Sequence, residues 1–355
     1  MKLKLYGILA LSLLSAAPAS AKKAPEYFIL PDGGYALPAR PQVFPAAVDP
    51  GQKIVLPQPV REWTVMVYAN GKNDLAPDIF ADANEMEMAG STPQVNVILE
   101  LGQKGLRADP DFLEPAWKSP WRGIKRFFIL KDTKNPDQLH SIPLPAEPYA
   151  DMGSHRHLAH FGQWVKKNFP AKKYMLIVSN HGNGILGISY DDVSGNNIAL
   201  SELGKAVSKI GGVDVFATDA CLMQMAEVAY ALKGLAETVV GSEETIPAEG
   251  YNYKAILKAL GKNPGMDAEA ASKMLVKSFD NSYKGSGEPV TLSALKMSEI
   301  DELSGKVKAW TEAVMSAPDA GRGLRQALRR TRSFEEPSFR DLHHFISLVA
   351  RYSED

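Results

Sequence analysis

Apolar residues cluster along this chain in two alternating patterns, and the alternation itself suggests a fold. Predominantly apolar, β-rich runs occur at 63–68, 95–101, 124–130, 174–180, 213–217 and 238–242, the one at 174–180 without alternation. Runs of this length, rich in Val, Ile and aromatic residues, predict strands buried on both faces. Between them lie stretches with apolar residues three and four apart. These predict helices over 77–89, 158–169, 200–210 and 223–232, with Leu158, Phe161, Val165 and Phe169 forming one stripe. Strand followed by helix, several times over, implies a mostly parallel sheet with helices on both sides.

The last third is more helical. Helices are expected over 253–260, 268–283 and 298–315, and residues 290–294 offer one further strand. Ile300, Leu303, Val307, Trp310 and Val314 would line one apolar face of the helix over 298–315. A final apolar pattern (Leu342, Phe345, Ile346, Val349) runs almost to Asp355, as it would if the sequence continued. The expected organisation is a leader over 1–21, a proline-rich segment over 22–61, an α/β domain over 62–296 and a helical region over 297–355.

Composition changes this picture mainly at the N-terminus. Basic Met1-Lys2-Leu3-Lys4 precedes an apolar run from Leu5 to Leu14 and a small-residue Ala19-Ser20-Ala21 site, the pattern of a secretory signal peptide. The run is too short to span a membrane, and no later stretch reaches the ~20 apolar residues that a span needs. The mature protein is expected in a periplasm or outside the cell. Prolines at 25, 31, 38, 41, 45, 50, 57 and 59 then favour an irregular linker. With 40 basic and 41 acidic side chains the net charge is −1, which gives no general attraction to nucleic acid or an acidic membrane surface.

The candidate chemistry sits at two expected strand ends. Cys221, the one cysteine in the chain, follows the strand over 213–217 within Thr218-Asp219-Ala220-Cys221, with a helix expected just after it. His181 follows the strand over 174–180 within Ser179-Asn180-His181-Gly182-Asn183-Gly184. In open parallel sheets, reacting groups gather beyond the carboxyl ends of the strands. A helix N-terminus would lower the thiol pKa, and a nearby imidazole would hold its proton and later protonate a leaving amine. Gly182 leaves room for a substrate backbone, and its amide with that of Cys221 could face an oxyanion. Free cysteine is more often a small buried hydrophobe, but its place at a strand end in an exported chain favours the catalytic reading.

These blocks, together with Trp63-Thr64-Val65-Met66-Val67-Tyr68, Asn73-Asp74-Leu75 and Ser242-Glu243-Glu244-Thr245-Ile246-Pro247-Ala248-Glu249-Gly250, resemble the clostripain-like cysteine peptidases. The resemblance implies a caspase-like α/β/α sandwich, a His181/Cys221 dyad without an obligatory third member, no required cofactor, and peptide or protein substrates cut after Arg or Lys. It makes Asp219 the carboxylate at the base of the specificity pocket. The competing reading of Asp219 is a cap on the following helix. Self-cleavage at a basic site would fall among Lys118, Arg122, Lys125 and Arg126. Asn183, Ile185 and Gln224 depart from the family's usual residues.

Other signals are weaker. His155, His157 and His160 form a trio near Asp151, but only 157 and 160 share helical spacing and no cysteine accompanies them, which favours a polar helix start over a zinc site. Residues 191–197 are rich in oxygen ligands, so calcium is a candidate, yet they lack the spacing of a calcium-binding loop and read as a turn. The alternatives to a basic-specific peptidase are a silent relative that binds peptides or a cell surface, and a transpeptidase or amidase with another preference.

Overall fold

The computed structural model describes residues 54–105, 121–133, 138–317 and 320–353. The leader over 1–21, most of the proline-rich segment and Lys118 lie outside the described residues. The described chain falls into two compact units, 54–317 and 320–353.

The first unit contains an eight-stranded sheet. In chain order its strands are β1 (Arg61–Gly71), β2 (Val95–Lys104), β3 (Arg122–Phe128), β4 (Ile142–Leu144), β5 (Ala171–Ser179), β8 (Val213–Asp219), β9 (Ala236–Gly241) and β10 (Ser293–Lys296). They lie side by side as β10-β9-β8-β5-β1-β2-β3-β4. The five strands from β9 to β2 run parallel, while β10 at one margin and β3 and β4 at the other pair antiparallel with their neighbours. A small hairpin, β6 (Ile188–Asp191) and β7 (Asn196–Ile198), stands apart from this sheet.

Two cores cover the two faces, because successive side chains of each strand point opposite ways. Met66, Tyr68, Leu176, Val178 and Phe216 pack with helices α2 (His155–Asn168) and α3 (Leu200–Ile210). Val65, Val67, Met175, Ile177 and Val215 pack with α1 (Ala76–Glu87), α5 (Tyr253–Lys262) and α6 (Ala268–Tyr283). This is the expected α/β/α sandwich. Its apolar strands carry no alternation because helices cover both sides. Among the described residues, no helix is long and apolar enough to cross a membrane.

Three expectations change. The helix expected over 223–232 is shorter, α4 (Ala226–Ala231). In α7 (Ile300–Ser316) only Ile300 of the apolar stripe is buried, and Leu303 is exposed. β3 begins at Arg122, two residues before the strand expected over 124–130, so Arg122, Lys125 and Arg126 are all strand residues. The second unit holds α8 (Ala320–Arg330), which no apolar periodicity announced, and α9 (Leu342–Ser353).

Arg126 is almost fully buried, an uncommon state for a guanidinium. Its Nε and Nη2 both lie 2.5 Å from Glu100 Oε2, and its plane sits 4.3 Å from the Trp164 ring centroid. Removing one partner would leave a buried charge uncompensated. Arg126→Ala is therefore expected to lose about 3–5 kcal/mol in urea unfolding. A loss below about 1 kcal/mol would show that the pair does not hold β2 against β3.

Candidate active site

β5 and β8 are parallel neighbours, in register with Ser179 opposite Asp219. The pairing extends one step further, where Asn180 N donates to Asp219 O at 3.2 Å. His181 and Cys221 are the next residues out, so both emerge at the carboxyl edge of the sheet. The two loops touch. A Cβ on Gly182 would lie 2.5 Å from the Cys221 carbonyl oxygen and 2.8 Å from Met223 Cγ, so only glycine fits there.

Polar residues brace the histidine loop. Asn180 Oδ1 accepts from Tyr190 N at 2.6 Å, and its Nδ2 donates to Asn70 O. Asn70 Nδ2 in turn donates to Ser189 Oγ and Tyr190 O, both at 3.1 Å. Gly182 bridges Ile188 through the bonds of its neighbours, Asn183 N to Gly187 O and Ser189 N to His181 O. That geometry leaves the Gly182 amide outside the ladder.

His181 Nε2 lies 2.7 Å from Asp74 Oδ1, in the turn between β1 and α1. Burial would raise the Asp74 carboxyl, but the hydrogen bond and charge of His181 outweigh it and hold the pKa below the ordinary value. With Nε2 engaged by Asp74, Nδ1 is the other ring nitrogen. The sequence displayed Asn73-Asp74-Leu75 without assigning Asp74 a role, since nothing in the spacing ties position 74 to position 181.

The surroundings of Cys221 correct one expectation. No helix starts directly after it. Leu222 takes a left-handed conformation (φ 61°), Leu222 N donates to Glu244 O, and Gln224 N donates to Ser242 O at 2.9 Å. The chain runs alongside the extension of β9 before α4 begins at Ala226, so the helix end is not at the sulfur. Burial raises the thiol pKa, against the amides of Ile246 and of Cys221 itself, and the charge of Asp219 adds to the rise. Ile246 N points at Sγ from 3.3 Å. A helix dipole therefore does not act on this thiol.

Asp219 is buried beneath the same edge. Its Oδ2 accepts from Tyr251 N at 3.1 Å and Tyr253 Oη at 3.0 Å. Gly250, at φ +55°, closes over Oδ1, where a Cβ would come within 2.7 Å. Burial lifts the carboxyl to about 6, despite those two bonds, and Glu85 adds repulsion. Among the described residues no Lys, Arg or His lies within ion-pair distance of Asp219. Nor does Asp219 cap α4, which begins seven positions later. Asp82 on α1 is also buried, and burial together with the charge of Asp219 lifts its carboxyl well above the ordinary range. Asp78, Asp82 and Glu85 share one helical face, a signal that the sequence carried.

The other candidates separate. His155 pairs with Glu202 at 3.2 Å, while Asp151 accepts from Ser194 and Asn196. Asp191 binds Lys72 at 2.8 Å and accepts from Met152 N, Val193 N and Ser194 N. Residues 191–197 thus contain the turn of the β6–β7 hairpin. Arg126 and Lys125 lie in β3, with Arg126 inaccessible to a protease.

The chain matches the clostripain family over residues 67–347. It is 26% identical over 231 residues to clostripain of Hathewaya histolytica, an alignment that covers 58% of this chain and 43% of that protein. The chain therefore spans less than half the length of this curated relative. It is similar to the structure of a secreted C11 cysteine protease from Bacteroides thetaiotaomicron in complex with an irreversible peptide inhibitor, at TM-score 0.62 and 21% identity over 83% of this chain and 82% of that one. A structure of an inactive zymogen C11 protease from Parabacteroides distasonis is similar at TM-score 0.61 and 21% identity, over 84% and 82% of the two chains. At these identities the likeness establishes the fold.

If His181 governs the thiol, its removal will act on thiol reactivity in a pH-dependent way. His181→Ala is expected to slow iodoacetamide alkylation of Cys221 about ten-fold or more near neutrality, with rates converging at alkaline pH. An unchanged neutral rate would separate the two residues chemically.

Proposed function

The chain belongs to the clostripain family, and from that premise we propose that it is a cysteine endopeptidase cleaving after arginine or lysine. The observation that carries the proposal is the joining of two loops at one sheet edge, with Gly182 seated against the Cys221 carbonyl, one loop carrying a carboxylate-held histidine and the other the chain's one thiol.

His181 Nδ1 takes the Cys221 proton as Sγ attacks the substrate carbonyl carbon. The amides of Gly182 and Cys221 stabilise the resulting oxyanion. The protonated His181 then gives its proton to the leaving amine, and a thioacyl-enzyme remains. Water, deprotonated by His181, releases the acid and restores the thiol. Asp74 orients the ring and favours its protonated state between these steps. No cofactor enters the sequence. The carboxylates of residues 191–197 already have protein donors, so activity is expected to be indifferent to calcium.

The basic preference rests on Asp219. A carboxyl displaced from 3.8 to about 6 by burial represents on the order of 3 kcal/mol of unfavourable ionisation, which a substrate cation would relieve. The N-terminal pattern of residues 1–21 supports export to a periplasm or beyond.

Fluorogenic peptides ending in Arg, Lys, Asn or Leu before the reporter test this reading. Thiol-dependent release after Arg or Lys is expected, with none from Cys221→Ala. Cleavage after Asn or Leu instead would favour a different specificity, and no turnover would favour a silent binding relative. Asp74→Asn is expected to lower kcat about ten- to a hundred-fold.

Asp219 also makes a prediction about pH. It is ionised above about 6, so kcat/KM for basic peptides should fall as pH drops through that value. Because its folded pKa is raised, its ionisation weakens the fold as pH rises, and the loss persists above 6. Asp219→Asn should therefore unfold no more easily than the native chain at pH 8 while losing its preference for Arg over Leu. A destabilised variant with intact preference would refute this role.

A further inference from the structure

The histidine trio near the start of α2 does not act as a unit, but two of its members meet a carboxylate that the sequence did not associate with them. Between β4 and α2 the chain brings Glu147 against the outer side of the helix. The ligand atoms of Glu147, His157 and His160 all lie within 4.8 Å of one another. Glu147 Oε1 is 3.0 Å from His160 Nδ1, and Oε2 is 3.6 Å from His157 Nδ1.

The support behind His157 gives this group its meaning. His157 is buried, and its Nε2 lies 2.7 Å from Glu100 Oε1. Glu100 is fixed by Arg126, which stacks on Trp164 and lies over Phe161. With Nε2 turned to Glu100, the other ring nitrogen, Nδ1, is turned towards Glu147. At 3.6 Å, Nδ1 and Glu147 Oε2 are too far apart for a hydrogen bond.

We propose that Glu147, His157 and His160 form a zinc(II) site, with water in the fourth position. Ligands on a tetrahedral ion with bonds of ~2.1 Å lie about 3.4 Å apart, and the ligand atoms of these three residues lie within 4.8 Å of one another, near enough for small side-chain shifts to close on an ion. A carboxylate behind a ligating histidine is the usual support for such a ligand. Two imidazoles and one carboxylate favour zinc over calcium or magnesium. Arg126 pairs with Glu100, and Glu147 adds a second carboxylate beside the two imidazoles. Glu147 and His160 are half-exposed, which leaves the ion a path in and room for the water. Bound there, zinc would tie the β4–α2 connection to the helix. It would take no part in peptide hydrolysis.

The test uses the full chain, untagged and stripped of metal, carrying Cys221→Ala so that the thiol and His181 cannot hold the ion together. Zinc is titrated by competition with a chromophoric chelator, and thermal unfolding is followed with and without it. One zinc per chain is expected, with a rise in Tm of a few degrees. His160→Ala and Glu147→Gln should each weaken binding at least ten-fold and abolish the rise, while their metal-free melting stays near that of the parent. Zinc binding unchanged in both variants would overturn the proposal, as would no binding at micromolar zinc. Neither outcome depends on whether the chain is a peptidase.

Discussion

The pairing of β5 with β8, Ser179 opposite Asp219, is the constraint on which the rest of the site depends. Both strands are covered by helices on each face, so their interiors tolerate only apolar side chains. Polar chemistry is confined to their ends. Once that register is set, His181 and Cys221 must leave the sheet at the same edge, and Asp219 must lie one layer below. A shift of one residue would send Phe216 and its neighbours to the wrong core and separate the two loops. The tight seat of Gly182 on the Cys221 carbonyl locks the same arrangement from above.

Two features at this edge carry a cost that the fold absorbs. Cys221 is held by burial in its neutral form, and Asp219 is a buried acid with no cation paired to it among the described residues. Either would be a poor choice for stability alone. Both are suited to a site in which charge arrives with the substrate or moves during the reaction. The two large apolar cores supply what these groups take away.

Much of this was legible in the sequence, for identifiable reasons. Predominantly apolar runs located the central strands, and the 3.6-residue stripe from Leu158 to Phe169 located α2. Strand ends then pointed to His181 and Cys221. The failures were equally physical. Periodicity continued the helix back to Met223, but backbone bonds from Leu222 to Glu244 and from Gln224 to Ser242 delay it to Ala226. The apolar face expected on α7 is mostly left unburied, because amphipathic spacing does not say what covers it. Asp74 and Glu147 were invisible as partners, since each meets its histidine across the fold. Short strands such as β4 and β7 carry too few residues to show a pattern.

Irreversible labelling tests the central claim most directly. A peptide ending in arginine and carrying a thiol-reactive group in place of the scissile bond would be incubated with the native chain, and the adduct mapped by mass spectrometry. The account predicts a single adduct on Cys221, formed far faster than with a leucine analogue and suppressed in His181→Ala. Equal labelling by both peptides, or an adduct formed at the same rate without His181, would contradict it.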